Sequence, residues 1–329
     1  MGVNLGCKMK SMIIKNLGTQ LSPANLPEPV PDKNQILLKV LSCGLNFADT
    51  LLMEGKYQHK PVFPFAPGLE ICGIIEKIHN TSSKFKIGER VVALVKHGGL
   101  AEKVIADETA CFSIPKNMDS NEAAGFLIAY GTGYVSLKER ARLKKGENLL
   151  VLGASGGVGT TAVELGIALG ANVIAVASNR PKLDVAKNLG ASYLLKSNDP
   201  NLVKKIKSIG GADVIYDPVG GNLSEESFKS ANQFARIIPV GFASGRVPSF
   251  PLNIVMIKNI NVIGVHWSAY KEISLKKFRK SNTDLIQLWK DKKLNPLVSN
   301  IFRLEDANMG LDILRNRRAK GKVVIDMGI

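Results

Sequence analysis

The sequence is poor in the residues that build disulfide frameworks and compact metal sites. Its 329 residues include four cysteines and four histidines, and no two cysteines form a C-x-x-C pair. Neither a disulfide-stapled fold nor a zinc knuckle fits this pattern. No apolar run reaches the roughly 18 to 20 residues that span a bilayer, and the first residues lack the apolar core of a signal peptide. We therefore expect a cytoplasmic chain that does not insert into a membrane.

Acidic residues are scarce relative to basic ones, which leaves a formal net charge of +16. Such a charge is typical of proteins that bind nucleic acid or another polyanion. The lysines, however, are spread along the chain in short pairs such as Lys144-Lys145 and Lys204-Lys205, without interleaved aromatic residues. This dispersal favours a solvated, lysine-rich surface over a dedicated nucleic-acid site.

The length exceeds what one hydrophobic core usually supports, so we expect two domains. From about residue 148 to 265, short β-branched runs alternate with helix-like segments, which predicts a parallel sheet with crossover helices. The predicted strands are 148–152, 172–177, 193–195, 213–216, 235–240 and 261–265. The predicted helices are 157–169, 181–189, 202–209 and 224–232. The pattern is that of a doubly wound nucleotide-binding domain.

The preceding part of the chain, residues 12–115, has a different pattern. Strand-like runs punctuated by Gly and Pro turns predict a β-rich domain with one helix at 46–53. The predicted strands are 36–40, 73–78, 90–95 and 101–105. After the nucleotide domain, a helix at 275–290 and a strand at 322–326 form a tail too small to fold independently, so we expect it to return to the β-rich domain.

A glycine-rich turn follows the first strand of the nucleotide domain. The turn consists of Ala154, Ser155, Gly156, Gly157, Val158 and Gly159. Glycines let the backbone turn tightly and let a pyrophosphate approach the free N–H groups of a helix N-terminus. A turn that only connects strand to helix is the alternative. The agreement of strand, turn, helix and next strand favours dinucleotide binding.

The end of the second predicted strand bears on the choice of cofactor. Sites specific for NAD place an acid there for the ribose hydroxyls, whereas this chain has Ser178-Asn179-Arg180-Pro181-Lys182. Ser178, Arg180 and Lys182 can bind a 2′-phosphate, so we predict NADPH. The loop can also cap the next helix through Ser178 or Asn179.

Further motifs, in one order along the chain, resemble the zeta-crystallin-like quinone oxidoreductases, a zinc-free branch of the medium-chain dehydrogenase/reductase superfamily. They are 46–49, 54–57, 64–73, 85–91, 123–125, 130–132, 213–221 and 321–324. The resemblance covers nearly the whole chain from Met12 onward, which leaves residues 1–8 as an extension or an upstream start. It implies an α/β protein with a GroES-like catalytic domain (1–122 and 266–329) and a Rossmann domain (123–265), with substrate and nicotinamide meeting between them.

The resemblance also implies that the enzyme works without zinc. Alcohol dehydrogenases of the superfamily have a zinc-binding Cys where this chain has Asn46, and a zinc-binding His where it has Leu69. The four histidines, His59, His79, His97 and His266, are isolated in the sequence, so we interpret each as a surface or packed residue. Glu70 is interpreted as a buried structural acid.

Without zinc, the predicted chemistry is transfer of a hydride from NADPH to a quinone or an α,β-unsaturated carbonyl compound. Tyr57 is the candidate proton donor, with solvent as its rival and an aromatic packing role as the alternative. Asn46 is predicted to orient the nicotinamide or the substrate, or else to be a helix N-cap. Cofactor contacts implied by the resemblance are Asn46, Thr132, Ser197, Val240, Gly241, Arg317 and Lys322. Ser197 replaces a cofactor-stacking tyrosine of some relatives.

Two other functions stay open. A reductase of 2-enoyl thioesters would use the same hydride step, and a basic surface suits the phosphates of coenzyme A. Some relatives instead act as crystallins or bind RNA. The resemblance further implies a homodimer formed through edge strands of the nucleotide domains, and 261–265 is an apolar strand that would otherwise be an exposed edge.

Overall fold

The structure, a computed structural model, describes residues 3–79 and 83–328, with side chains from residue 8 onward. Met1, Gly2 and the side chain of Cys7 therefore lie outside this description. None of the helices within the described residues combines the length and the apolar character needed to cross a membrane.

Fifteen strands and eleven α-helices follow one another along the described chain. The first part contains β1 (Val3–Ile13), β2 (Ser22–Pro29), β3 (Gln35–Leu45), α1 (Phe47–Met53), β4 (Glu70–Ile78), β5 (Arg90–Leu94), β6 (Lys103–Asp107), β7 (Cys111–Ser113), α2 (Ser120–Ala124) and α3 (Leu127–Tyr134). The middle contains β8 (Asn148–Leu152), α4 (Gly157–Ala168), β9 (Asn172–Ala177), α5 (Arg180–Asn188), β10 (Tyr193–Lys196), α6 (Leu202–Ser208), β11 (Ala212–Asp217), α7 (Gly221–Phe228), β12 (Ala231–Pro239), α8 (Leu252–Ile257) and β13 (Asn261–Val262). The last part contains α9 (Tyr270–Ile273), α10 (Leu275–Lys290), β14 (Val298–Arg303), α11 (Ala307–Arg315) and β15 (Lys322–Asp326).

These elements form two compact units. The first comprises the described residues of Met1–Ile128, Lys271–Ile286 and Pro296–Ile329, and the second comprises Ala129–Tyr270 and Gln287–Asn295. The domain limits given above from the sequence, 1–122 and 266–329 against 123–265, stay a prediction.

The first unit is built on a seven-stranded sheet with the order β14-β15-β3-β4-β5-β7, and β6 also pairs with β3. A separate two-stranded sheet pairs β1 with β2. The tail enters this unit through β15, which runs antiparallel to β3 with Val323 opposite Leu45 and Asp326 opposite Ser42. The last strand of the tail therefore returns to the β-rich part, as expected, whereas the end of α10 belongs to the second unit with Gln287–Asn295. The pairing sets Lys322 beside the end of β3.

The second unit contains a six-stranded parallel sheet with the order β10-β9-β8-β11-β12-β13. The chain begins this sheet at β8, in the middle, adds β9 and β10 on one side, and then crosses to add β11 and β12 on the other. This is the doubly wound order of nucleotide-binding folds. The predicted α/β class is confirmed.

Three predicted segments extend beyond the observed elements by more than one residue. The predicted strand 101–105 is displaced, since Ala101 only forms a bridge with Ser11 and β6 begins at Lys103 to pair with β3. The predicted helix 224–232 ends at Phe228, because Ala231 already pairs with Ala212 of β11.

The third difference concerns the predicted edge strand 261–265. β13 is only two residues long, Asn261–Val262, and both residues are exposed. Ile263 still donates its N–H to the carbonyl oxygen of Ile237 at 2.8 Å, after which Gly264 follows. Glycine contributes no side chain to strand packing, so the apolar residues around it do not extend the strand.

Candidate functional site

Most of the predicted cofactor residues follow the carboxyl ends of four strands in the second unit, β8, β9, β10 and β12. Because β8 to β12 are parallel, the turns that follow them lie at one edge of the sheet. The turn after β8 contains 154–159 and lies at the point where the strand order reverses, between β8 and β11. Open α/β sheets bind their ligands at this switch point.

The glycines of this turn have different roles. Gly156 is the N-cap of α4, and a Cβ added to it would meet only the carbonyl oxygen of Gly153, at 3.7 Å. A Cβ on Gly159 would lie 2.1 Å from that same oxygen. Gly159 is therefore required for the close packing of α4 on the turn. Gly156 instead leaves open space beside a helix N-terminus, where N–H groups and the helix dipole favour an anion.

The turns after β11 and β12 adjoin the glycine turn. A Cβ on Gly153 would lie 2.9 Å from Cγ2 of Val219, and a Cβ on Gly241 would lie 3.4 Å from the carbonyl oxygen of Pro218. Val240 directly precedes Gly241 at the end of β12. The structure thus places Val240 and Gly241 in the same group of turns as the glycines.

The loop after β9 confirms one sequence alternative and adds a residue that sequence reasoning overlooked. Asn179, rather than Ser178, is the N-cap of α5, and its side chain accepts the N–H of Lys182 at 3.1 Å. Nε of Arg180 lies 2.8 Å from a carboxylate oxygen of Asp184, one turn further on. Both side chains are largely exposed, and such pairs contribute at most about 1 kcal/mol, so Arg180 can leave Asp184 at small cost.

Two more predicted contacts lie in the second unit. Ser197 follows β10 and donates its N–H to the carbonyl oxygen of Ala177 at 2.9 Å, which holds it beside the end of β9. Thr132 is half-buried in α3. That helix packs on α4, since Oγ1 of Thr161 donates to the carbonyl oxygen of Ala129 at 3.2 Å.

In the first unit, Asn46 and Lys322 meet in a buried polar cluster with Glu70. Nζ of Lys322 lies 2.7 Å from Oδ1 of Asn46, 2.7 Å from Oε1 of Glu70 and 3.0 Å from the carbonyl oxygen of Leu45. Nδ2 of Asn46 donates to Oε1 of Glu70 at 2.8 Å. Lys322 is 4% exposed and Glu70 1% exposed. This ion pair was not predicted, although Glu70 was interpreted as a buried structural acid, in agreement with its position here.

Asp49 hydrogen-bonds to the backbone of Asn46. Its carboxylate accepts the N–H of Asn46 at 2.8 Å and the N–H of Gly68 at 3.1 Å, which fixes the start of α1. Burial raises the pKa of the Asp49 carboxyl to about 7. The two backbone N–H groups and the Lys322 ammonium act in the opposite direction on this pKa, because they favour the charged form. Asn46 is therefore the N-cap of α1, as one of its two interpretations predicts, and its side chain also contacts Glu70 and Lys322.

The groups around Asn46 do not fit a zinc ion. The side-chain oxygen of Asn46 and the carboxylate of Glu70 already surround an ammonium group, which repels a second cation. Leu69 stands at the position where alcohol dehydrogenases have a zinc-binding His. Its apolar side chain has no atom that can bind a metal ion, and it is buried. Zinc takes thiolate, imidazole and carboxylate ligands.

The remaining predicted residues lie elsewhere in the first unit. Tyr57 is half-buried in the loop after α1 and packs against the apolar core of this unit. Arg317 is exposed just after α11, with a positive φ of 53°. Both roles stay predictions.

Two of the histidines that are isolated in the sequence pack against each other in the structure, which agrees with their interpretation as packed residues. The rings of His59 and His97 stack with centroids 5.4 Å apart, and Nε2 of His59 lies 3.2 Å from Nδ1 of His97. His97 also meets the ring of Phe65 edge-on. Burial lowers the pKa of both histidines, which favours their neutral forms. The two histidines are 38 positions apart in the chain, so no local pattern in the sequence indicates this pair.

Comparison with known proteins gives matches over most of the chain. Residues 32–116 match the family described as alcohol dehydrogenase GroES-like domain, and residues 157–280 match the family described as zinc-binding dehydrogenase. The chain is 36% identical over 299 residues to quinone oxidoreductase-like protein 2 homolog of Nematostella vectensis, covering 89% of this chain and 82% of that protein. It is 30% identical to human quinone oxidoreductase, covering 92% of each chain.

A solved structure of a quinone oxidoreductase also matches nearly the whole chain. The quinone oxidoreductase of Thermus thermophilus, whose crystal structures include a complex with NADPH, is 31% identical to this chain. The match covers 97% of this chain and 100% of the other, with a TM-score of 0.83.

Proposed function

The chain belongs to the quinone oxidoreductase branch of the medium-chain dehydrogenase/reductase superfamily, and we propose that it is an NADPH-dependent reductase of quinones or α,β-unsaturated carbonyl compounds that works without zinc. The observation that carries the proposal is the glycine turn at the switch point of the parallel sheet, with open space beside Gly156 at the N-terminus of α4. The relative from Thermus thermophilus, solved with NADPH, supports the choice of cofactor.

The roles proposed for individual residues follow from their chemistry. The glycine turn and the N-terminus of α4 bind the pyrophosphate, and the loop after β9 binds the 2′-phosphate. When bound, NADPH supplies the hydride. Tyr57 donates a proton to the oxygen that becomes negative, and Asn46 orients the reacting groups. Thr132, Ser197, Val240, Gly241 and Arg317 complete the contacts to the cofactor.

The experiment that tests this function is a panel of acceptors assayed by oxidation of NADPH. Quinones, enals, enones and 2-enoyl thioesters are compared at matched concentrations. Turnover with quinones or enones supports the proposal, whereas preference for thioesters identifies a thioester reductase on the same scaffold. No oxidation of NADPH with any acceptor, together with salt-sensitive retention on nucleic acid, would establish the non-enzymatic alternative.

Zinc independence is a prediction of its own, although the family that matches residues 157–280 is described as zinc-binding dehydrogenase. Because Asn46 and Leu69 stand at the two ligand positions, the purified protein is expected to contain no stoichiometric zinc and to keep its turnover in chelators. Elemental analysis measures the first quantity and an assay with chelator the second. One tightly bound zinc per chain whose removal abolishes turnover would contradict the prediction.

Preference for NADPH over NADH is expected to be about tenfold, since hydrogen bonds to charged groups are strong but solvent screens them at a surface. Arg180→Ala and Lys182→Ala should each lower kcat/KM for NADPH and leave that for NADH nearly unchanged. Lys187→Ala, in the last turn of the same helix, is the matched control. Equal use of both cofactors by the wild type would show that these residues do not read the 2′-phosphate.

We also propose that the chain forms a homodimer through the edge of the parallel sheet. Exposed apolar side chains accompany β13: Val262 is 47% exposed, Met256 71%, Ile257 62% and Phe234 68%. The N–H of Phe234 bonds to the carbonyl oxygen of Lys258 at 2.8 Å, which brings it to the end of α8. An unpaired strand edge flanked by apolar side chains is suited to pairing with a second copy.

The dimer prediction is tested by light scattering. The wild type is expected to have twice the chain mass of 35.5 kDa at micromolar concentration. The double variant Met256→Lys/Val262→Lys should have the mass of one chain, because like charges would face each other across the two-fold axis. Val62→Lys, at an even more exposed apolar residue of the first unit, should stay dimeric. A monomeric wild type would contradict the proposal.

A further inference from the structure

We propose that Lys196 is a specificity-determining residue for NADPH, which binds the 2′-phosphate from the end of β10, and that Lys205 supports it by neutralising Asp199 in the turn that follows. The proposal rests on the NADPH-dependent function proposed above and deepens it. All three residues belong to the second unit, as does the loop after β9.

The pairing of two strands places Lys196 beside that loop. Lys196 is the last residue of β10 and lies in register with Ala177, the last residue of β9. The N–H of Ser197 bonds to the carbonyl oxygen of Ala177 at 2.9 Å, so the two chain segments stay side by side beyond the strands. Neighbouring strands of a sheet lie about 4.8 Å apart. The backbone of Lys196 is therefore within the reach of a lysine side chain from loop 178–182.

The side chain of Lys196 also lies on the face of the sheet that α5 covers. Leu195 belongs to an apolar cluster with Val176 of β9 and Ile206 of α6. Successive side chains of a strand point to opposite faces, so Lys196 leaves the sheet on the side away from α6. α5 packs on β9 and β10 from that side, because the chain moves along the sheet in opposite directions in the crossovers through α5 and α6. Lys196 and the start of α5 thus share one face and one edge of the sheet.

An acid in the turn after β10 would oppose a phosphate if it had no counter-charge. The N–H of Asp199 bonds to the carbonyl oxygen of Lys196 at 3.2 Å, which closes this turn. The carboxylate of Asp199 forms an ion pair with Lys205 of α6 and accepts the N–H of Asn201 at 2.8 Å. These two contacts hold the pKa of the Asp199 carboxyl below its usual value, and the attraction of Lys196 is a smaller contribution. Asp199 takes its counter-charge from Lys205, which leaves the exposed ammonium group of Lys196 for a ligand.

The ligand that suits this arrangement is a phosphate monoester at the end of β9. Such a group carries a charge between −1 and −2 at neutral pH and accepts charge-assisted hydrogen bonds from an ammonium group. Lys196 adds its charge to those of Arg180 and Lys182 across the loop. NADH has a neutral hydroxyl in place of the phosphate, so the charge of Lys196 discriminates between the two cofactors.

The experiment compares 2′,5′-ADP with 5′-AMP, two fragments that differ only in the 2′-phosphate. Their dissociation constants are measured by calorimetry at low and at high salt. Lys196→Met is expected to weaken 2′,5′-ADP about threefold to tenfold at low salt and to leave 5′-AMP unchanged, because an exposed charge is screened but not removed by solvent. Salt should reduce the difference. Lys207→Met, which removes the same charge from an exposed residue in the last turn of α6, is the matched control and should change neither fragment.

A second pair of variants tests the supporting role of Lys205. Lys205→Met leaves the carboxylate of Asp199 without its ion pair, and its repulsion should weaken 2′,5′-ADP by a similar factor. The double variant Lys205→Met/Asp199→Asn removes both charges and should restore the affinity of the wild type. A merely structural role of Lys205 would not be rescued in this way, and thermal melting of each variant reports on folding separately.

Unchanged binding of 2′,5′-ADP by Lys196→Met would overturn the proposal, as would equal weakening of both fragments or an equal loss in Lys207→Met. A double variant that binds as weakly as Lys205→Met would overturn the role of Lys205. In each of these outcomes the reductase function still stands if the wild type oxidises NADPH. A wild type that binds the two fragments equally would overturn the NADPH preference together with this proposal.

Discussion

Replacing Tyr57 with phenylalanine is expected to lower turnover by about 10²- to 10⁴-fold, the usual contribution of a general acid. The change removes one hydroxyl and keeps the aromatic ring, so the packing of Tyr57 against the core of the first unit is retained. The measurement is kcat over the full pH range with the best acceptor of the panel, together with KM for NADPH, which should stay nearly unchanged.

The control for this variant is Tyr193→Phe. Tyr193 is exposed at the start of β10, at the opposite end of the strand from Ser197, and its loss should leave turnover as in the wild type. Turnover of Tyr57→Phe that equals the wild type at every pH would refute the acid role. Solvent would then be the proton donor, and the reductase assignment would stand.

Gly156→Ala is expected to weaken NADPH by about tenfold to a hundredfold without unfolding the protein. A methyl group at this position meets only one atom of the protein, at 3.7 Å, so the fold tolerates it. It fills the space through which a pyrophosphate approaches the N-terminus of α4, and each hydrogen bond to a charged group contributes roughly 1.5 to 3 kcal/mol. Calorimetric titration with NADPH and thermal melting measure the two effects separately.

Gly159→Ala is the contrasting variant. Its methyl group would lie 2.1 Å from the carbonyl oxygen of Gly153, so the backbone must move and the melting temperature should fall. If Gly156→Ala binds NADPH as tightly as the wild type, the turn serves only to connect β8 with α4, and the cofactor proposal fails at this point.

The parallel sheet could be predicted because its signals are local. Buried parallel strands need continuous apolar runs, and crossover helices need amphipathic segments between them, so the alternation identifies strands such as β8, β9 and β11. The glycine turn is local too, since strand, turn and helix follow directly in the chain. The predicted edge strand is too long because its apolar run continues past Gly264, whereas its last hydrogen bond to β12 is the one that Ile263 donates to Ile237.

Contacts between distant residues could not be predicted in the same way. Lys322 and Asn46 are 276 residues apart, and only the pairing of β15 with β3 brings them within hydrogen-bond distance. His59 and His97 are likewise joined only by the fold. The displaced β6 and the early end of α7 depended on partner strands, which propensity does not encode.

By itself the sequence determined the kind of fold, the position of the glycine turn and the absence of an acid at Ser178, because each depends on the order of neighbouring residues. Only the tertiary structure decided to which acceptors Asn46 donates its amide hydrogens and which two charged groups lie beside its carboxamide. The reason is physical: a buried carboxamide takes its orientation from the donors and acceptors that surround it, and here β3, β4 and β15 each contribute one.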